Sequence, residues 1–313
     1  MDGHDLTPRI ALVVNPTSGV GRGARLAGEV AGRLRVGASV RTFSGHAPDA
    51  SARLVADAVT EAVDAVIVLG GDGTVHLAIQ ALAGGETPLG IVPAGTGNDM
   101  ADMLGMPADP LAAADALLAA LAAESVRRID LGRTASGRWW ATVLCGGFDS
   151  GVNERANTMR WPRGPRRYDL AIAAELYRLR PRMFRLELDA ELPVECPATL
   201  VAVGNGPQYG GGKLITPHAR LDSGRFEVTV IGAVSRRRLI RLAPTLPRAG
   251  HIGQPEVSTY QAGSVRLDAP DTLAYADGER ISALPVSTAC VPGALPVLVP
   301  VGPLGHGFGA TDL

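Results

Sequence analysis

Residues Gly70 to His76 read Gly-Gly-Asp-Gly-Thr-Val-His and follow directly on the apolar run Ala65-Val66-Ile67-Val68-Leu69. Glycine lets backbone N–H groups approach a phosphate closely, and the start of a helix adds positive partial charge. Asp72 would repel a phosphate unless a cation stood between them, so the stretch has the chemistry of a metal-bound phosphate corner. Two further corners share this character. Asn15-Pro16-Thr17-Ser18-Gly19 follows the run from Arg9, and Pro93 to Asp99 contains Thr96-Gly97-Asn98-Asp99. Ser18, Thr74 and Thr96 supply hydroxyls, and Asp72 and Asp99 supply carboxylates for Mg²⁺. Each corner alone is equally well read as a turn in a chain with 39 glycines. Three of them, each behind a β-like run and each with a hydroxyl or an acid, favour phosphate binding. Two common nucleotide patterns are absent: there is no G-x-x-x-x-G-K-[ST], and His76 stands where G-x-G-x-x-G needs its last glycine.

A second constellation is Ala276-Asp277-Gly278-Glu279-Arg280, with one carboxylate on each side of Gly278. It reads either as an Asp-Gly hairpin turn or as a general base placed for a hydroxyl proton. The upstream corners favour the base. His76 and His218 have no evident carboxylate partner nearby in sequence and are given no catalytic role. Cys145, Cys196 and Cys290 make neither a metal spacing nor a disulfide framework.

Elements that would position these residues alternate in the first part. Strands are expected at Arg9–Asn15, Ser39–Phe43, Ala65–Gly70 and Pro88–Gly95, with helices at Arg22–Arg35, Pro48–Ala62, Thr74–Ala83 and Leu111–Ala123. Such alternation implies a parallel sheet covered on both faces, with its ligand loops along one edge. Beyond about Asp130, β-like runs predominate, Trp139–Phe148 among them, and only Arg166–Arg180 reads as helical. That half is expected to be mostly antiparallel. Ala294–Pro300 is a last apolar run able to close either domain.

With 313 residues, 46% hydrophobic and 19% charged, the chain can bury a sizeable core and does not have the composition of a disordered one. Its net charge of −1 gives no global attraction to nucleic acid. Lys213 is the sole lysine, a bias expected of a GC-rich genome. No apolar stretch approaches the ~20 residues of a membrane span. The first ten residues do not read as a signal peptide, so a reducing cytosol is expected.

The three corners, in this order and spacing, resemble those of the diacylglycerol kinase catalytic domain found in soluble bacterial lipid kinases, to which sphingosine and ceramide kinases are more distantly related. Gly146–Val152, Gly204–Gly224 and Ala276–Arg280 also resemble counterparts in that family, so the likeness spans nearly the whole chain. It implies an α/β nucleotide-binding domain at 1–130, joined by about 289–313 as the last strand returns. A mostly antiparallel β-sandwich-like domain for the lipid would occupy 131–288, with the nucleotide between the two. The implied ATP contacts are Asn15, Pro16, Thr17, Ser18, Gly19, Thr42, Gly71, Asp72, Gly73, Thr74, Val75, His76, Leu77 and Thr96. Asp72 and Asp99 would join the Mg²⁺ network, Asp277 would be the general base, and Glu279 would neighbour the nucleotide and its metal.

One departure stands out. Relatives carry two acids before the glycine where this chain has Asp222-Ser223-Gly224, and their second acid holds a structural Mg²⁺ beside backbone carbonyls. The matching positions are Arg220, Ser223 and Arg225, so this second metal site is in question.

From Arg155 to Arg185 there are nine arginines against two acids, Asp169 and Glu175, with Trp161, Tyr168, Tyr177 and Phe184 interleaved. The run is either a solvated helix face or a landing surface for anionic lipid. A nucleic-acid surface fits less well, because no recognised binding module accompanies it. The expectation is therefore an ATP- and Mg²⁺-dependent kinase that phosphorylates diacylglycerol to phosphatidic acid. It would be cytoplasmic and transiently bound to the inner face of the membrane; a homodimer is allowed. Rivals are kinases of a sphingoid base, ceramide or another lipid alcohol, an NAD kinase, and a binding protein without catalysis. A dinucleotide oxidoreductase lacks its fingerprint.

Overall fold

The computed structural model describes residues 7–15, 18–45, 53–58, 62–159, 161 and 166–302. The chain forms two compact units. One runs to Ile129 and resumes at Gly293; the other spans Asp130–Pro292.

In the first unit, β1 (Arg9–Val14), β3 (Ala65–Gly70) and β4 (Leu89–Pro93) are almost wholly buried apolar runs. Strands covered on both faces require that composition. They pair in parallel in the order β2 (Ser39–Ser44), β1, β3, β4. The sheet is completed by the end of β15 (Val286–Leu298), where Val297 pairs with Leu89. Helices α1 (Ser18–Leu34), α3 (Asp72–Leu82) and α5 (Pro110–Ala122) follow β1, β3 and β4. Residues 53–58 are helical (α2) and lie between β2 and β3. Asp109 caps α5 by accepting from the amides of Leu111 and Ala112, and Pro110 occupies the first helical position. The expected helix start at Pro48 lies outside the described residues, and Ala62 is left-handed rather than helical. The short helix α4 (Asp99–Met103) is an addition to the expected elements.

The second unit begins within β5 (Val126–Thr134) and is largely antiparallel, in the order β14 (Glu279–Ala283), β13 (Leu273–Ala276), β7 (Val143–Gly147), β9 (Val194–Gly204), β8 (Arg182–Leu188), β12 (Ser264–Asp268), β15. Strand β9 organises it. Its first half pairs with β8, while its second half lies between β7 and β10 (Phe226–Gly232), which pairs onward with β11 (Val257–Ala262). Val201 and Val203 enter one core around Trp140, Phe184 and Phe226. Leu200 and Ala202 enter the other, with Ile215, Leu239 and Leu242. Trp140 and Phe226 stack at 5.0 Å, and the buried indole N–H donates to Thr288 Oγ1 at 2.9 Å.

The expected strand Trp139–Phe148 is two strands, β6 (Trp139–Trp140) and β7, interrupted at Ala141-Thr142. Helix α7 (Arg166–Tyr177) stands where a helix was expected, but it is not alone. Helix α6 (Phe148–Thr158) and helix α8 (Arg236–Leu242), with the 3-10 turn Ala243–Arg248 behind it, were not read from the sequence. Among the described residues no helix is long and apolar enough to cross a membrane.

Candidate active site

In the first unit the corner after β3 is the first turn of α3. Gly71 is the N-cap residue, and its carbonyl accepts from the amides of Thr74 and Val75 at 2.9 and 3.1 Å. The amides of a first helical turn have no helical carbonyl to meet, which suits them to an anion. The corner after β4 is fitted against it. A Cβ on Gly95 would lie 2.5 Å from the Gly71 Cα, so this close approach of the two backbones requires glycine at 95. Asn98 locks the loop from a left-handed conformation (φ 61°) that asparagine tolerates. Its side-chain oxygen accepts from the Gly95 amide at 2.8 Å, and its own amide donates to Asp72 Oδ2 at 2.8 Å. Asn15, just beyond β1, donates from Nδ2 to Thr74 Oγ1 at 3.2 Å. Asn15, Asp72, Thr74 and the loop 95–98 are thus one hydrogen-bonded assembly.

Two acids converge on this loop. A Cβ on Gly97 would stand 2.6 Å from an Asp72 carboxylate oxygen and 3.5 Å from one of Asp99. Both carboxylates therefore lie within a few ångströms of one point. Oxygen donors so placed fit Mg²⁺, with phosphate oxygens and water completing its shell. Thr96 and Gly97 are exposed at the rim, whereas Thr74, Val75 and His76 are buried. Thr42 is an exposed residue inside β2. Ser18 and Gly19 begin α1, and Pro16 and Thr17 lie outside the described residues.

In the second unit Asp277 and Gly278 form the two-residue tip between β13 and β14, both at positive φ (54° and 80°). That conformation is the favoured hairpin turn for Asp-Gly. The turn and the held acid are one feature, because the carboxylate reaches back to the break between β6 and β7. Asp277 Oδ1 accepts from the Thr142 amide at 2.8 Å and the Thr142 hydroxyl at 2.7 Å; Oδ2 accepts from the Ala141 amide at 3.0 Å. Fully buried Asn205 fixes the far side of the break. Its amide donates to the Thr142 carbonyl at 2.9 Å, and its side chain donates to the carbonyls of Ala141 and Asp130. Glu279 is exposed at the start of β14. Sequence reasoning assigned nothing to Thr142, Asn205 or Asn98. Asn205 and Asn98 stand beside glycine in motifs already quoted, which was the available signal.

The matching positions for a structural Mg²⁺ do not fit the metal. Ser223 Oγ donates toward the carbonyls of Arg220 (3.1 Å) and Arg225 (2.9 Å). The oxygens that would face a cation instead face a hydroxyl hydrogen. The Arg220 guanidinium pairs with Asp222 and that of Arg225 with Asp189, and neither arginine side chain offers an oxygen ligand to a metal.

Other titratable groups lie outside these two constellations. His218 does have a carboxylate partner: its amide and ring Nδ1 meet the buried Glu227 at 2.7 and 2.9 Å. Burial pushes the thiols of Cys145 and Cys196 up, and that of Cys290 up to about 12, which disfavours a thiolate nucleophile. Burial also raises Asp149, against the pull of the Tyr209 hydroxyl and the Lys213 ammonium.

Comparison with known proteins places both halves. Residues 9–134 match the diacylglycerol kinase catalytic domain, and residues 142–299 match the YegS C-terminal NAD kinase beta sandwich-like domain. A diacylglycerol kinase of Mycobacterium tuberculosis (strain ATCC 25618 / H37Rv) is 43% identical over 299 residues, 93% of this chain and 95% of that protein. A probable lipid kinase YegS-like of Stenotrophomonas maltophilia (strain K279a) is 30% identical over 263 residues, 80% of this chain and 83% of its own length. Among solved structures, a putative diacylglycerol kinase from Bacillus anthracis str. Sterne shares the fold with a TM-score of 0.77. It is 20% identical, and the alignment covers 94% of this chain and 98% of that one.

Proposed function

This chain belongs to the diacylglycerol kinase family, whose members are ATP-dependent phosphotransferases acting on an alcohol, and from that premise we propose that its acceptor is diacylglycerol and its product phosphatidic acid. The first unit supplies the phosphate cradle. Amides at the start of α3, the glycine loop 95–97 and the hydroxyls of Thr74 and Thr96 would hold the nucleotide, with Asn15 just after β1, Ser18 at the start of α1 and Thr42 in β2 as further contacts. Asp72 and Asp99 would hold Mg²⁺, which neutralises charge on the phosphates when bound. The second unit supplies the acid. As the acceptor oxygen bonds to the γ-phosphorus, the bond to the leaving ADP oxygen breaks, and the hydroxyl proton passes to Asp277. Glu279 would neighbour the nucleotide.

The observation that carries this reading is the fixed Asp277 carboxylate. Thr142 meets Oδ1 through its amide and hydroxyl and the Ala141 amide meets Oδ2 at 3.0 Å, so the carboxylate is held in one orientation in which it can accept a proton. The choice of acceptor is supported by the M. tuberculosis relative, which is named for diacylglycerol. A soluble enzyme meets such a substrate at a membrane, so the arginine-rich segment Arg155 to Arg185 is proposed as a peripheral contact with anionic lipid. Radiolabelled ATP offered with diacylglycerol, a sphingoid base, ceramide and NAD, and resolved by chromatography, tests the assignment. Label in phosphatidic acid supports it; label in another acceptor alone replaces it.

A further inference from the structure

In the second unit a cavity of about 810 Å³ opens among α6, the end of α7, the start of β8 and the start of α8. Arg155, Arg178, Arg180, Arg182 and Arg236 line it. Three acids line it too, but each is engaged. Glu175 pairs with Arg155 at 2.5 Å, Asp271 faces Arg182 at 3.9 Å, and Glu154 accepts from the Tyr275 hydroxyl. Among the described residues Arg178 and Arg180 make no ion pair, and both are exposed. The Arg236 guanidinium lies over the Tyr177 ring at 5.3 Å, which fixes it without neutralising it. The cavity therefore keeps an excess of guanidinium groups, whose planar forks match phosphate oxygens.

Its surroundings say where such a phosphate comes from. Tyr177, which lines the cavity, is 75% exposed, and Leu170, Ile172 and Ile240 on the bordering helices are exposed as well. A site for free phosphate in water needs no apolar rim. A bilayer surface places aromatic and aliphatic side chains at the depth of the headgroups and phosphates beside them. We propose that this cavity binds the phosphate of an anionic phospholipid headgroup, with Arg178 and Arg180 as its principal cations. The proposal rests on the reading that the chain works at a membrane, and it deepens that reading by naming the atoms. Arg166 and Arg167, in the first turn of α7, do not line this cavity.

The test is co-sedimentation of the full chain with phosphatidylcholine vesicles, with and without phosphatidylglycerol. A basic side chain at such a surface contributes about a factor of five in binding, so R178Q/R180Q is expected to bind anionic vesicles roughly 25-fold more weakly. R178K/R180K retains the charge and keeps most of the binding. R25Q/R35Q, in the first unit, removes the same charge and leaves binding unchanged. Melting curves and turnover of a short-chain diacylglycerol dissolved in water stay at the parent's values in all three variants. Equal loss in R178Q/R180Q and R25Q/R35Q would reduce the effect to net charge and overturn the site. Undiminished binding of R178Q/R180Q overturns the cavity while the membrane reading stands. A parent that ignores phosphatidylglycerol overturns both. Saturable binding of inorganic phosphate in calorimetry, lost in R178Q/R180Q while vesicle binding is unchanged, makes this a free-phosphate site and overturns the lipid assignment.

Discussion

Replacing Asp277 with asparagine separates charge from shape at the proposed base. An aspartate presents two equivalent acceptors, and here they meet at least three donors: the Thr142 amide and hydroxyl on Oδ1, and the Ala141 amide on Oδ2. An asparagine has one acceptor. With its oxygen at Oδ1 it keeps both Thr142 contacts but turns an NH₂ toward the Ala141 N–H, donor against donor at 3.0 Å. The flipped amide faces two donors and is worse. The loss is one hydrogen bond to a charged acceptor, about 1.5–3 kcal/mol. For a protein of this size that lowers the melting temperature by about 2–5 °C. Turnover is expected to fall 10²- to 10⁴-fold, the usual range for loss of a general base. Mg²⁺-ATP affinity should hold, since the phosphate and Mg²⁺ contacts proposed for the first unit are untouched and Glu279 is unchanged. Thr142→Val is the companion. It keeps the acid and the backbone donors, removes the 2.7 Å hydroxyl bond, and should lower kcat by about ten-fold at unchanged KM for ATP, with Thr142→Ser restoring it. Initial rates with labelled ATP, calorimetry for the nucleotide and scanning calorimetry for the fold measure the three quantities. An Asp277→Asn enzyme that is folded and turns over within roughly a factor of three of the parent refutes the base assignment.

Three other outcomes follow from the geometry. Gly97→Ala sets a methyl 2.6 Å from an Asp72 oxygen, so the carboxylate must move, and Mg²⁺-ATP affinity should drop by about ten-fold or more; unchanged calorimetric binding would take Asp72 out of the metal network. Without nucleotide, EDTA and Mg²⁺ should leave the parent's melting temperature unmoved. Ser223→Asp turns a carboxylate toward the carbonyls of Arg220 and Arg225, so that variant should be less stable without Mg²⁺ and regain stability as Mg²⁺ is titrated. His251 is fully buried, and burial lowers its pKa below 6.5, so the folded state holds the neutral ring. The stability this confers is complete above about pH 6.5. It is lost as pH falls toward the depressed value, by at most about 1.4 kcal/mol per unit, because only the unfolded chain takes the proton. Melting temperatures from pH 8 to 5 should show that slope, and His251→Asn should flatten it.

The sequence was most legible where function and local structure use the same residues. A glycine corner must follow a strand and open a helix to present its amides, so Gly70–Thr74 announced both the end of β3 and the start of α3. The break at Ala141-Thr142 carries no glycine, proline or asparagine. It is imposed by Asn205 and Asp277, both far off in the chain, and so read as continuous strand. Helix α6 escaped for a related reason. Its buried side chains are Ser150, Val152 and Ala156 around an internal glycine, too weak a stripe to read before its partner α7 is known. The pairing of His218 with Glu227 joins a loop to the next strand, and sequence gives no register between them. Thr42 came from family resemblance alone, and nothing in the pattern of β2 distinguishes it from its neighbours.

Strand β15 also orders events in time. Strand β4 gains its outer neighbour from Val297, and the turn after α3 is tied by the Gly84 amide to the Ala294 carbonyl. On the ribosome everything up to Ile129 emerges well before the piece that closes its sheet. At typical elongation rates the stretch from Ile129 to Gly293 takes on the order of ten to thirty seconds. Throughout that interval β4 is an apolar edge with unpaired amides and carbonyls, the kind of edge that recruits a strand from another chain. A nascent chain stalled before Val286 would therefore carry a nearly finished first unit with its stickiest strand exposed. The late return of β15 makes solubility during translation depend on synthesis continuing through Leu298.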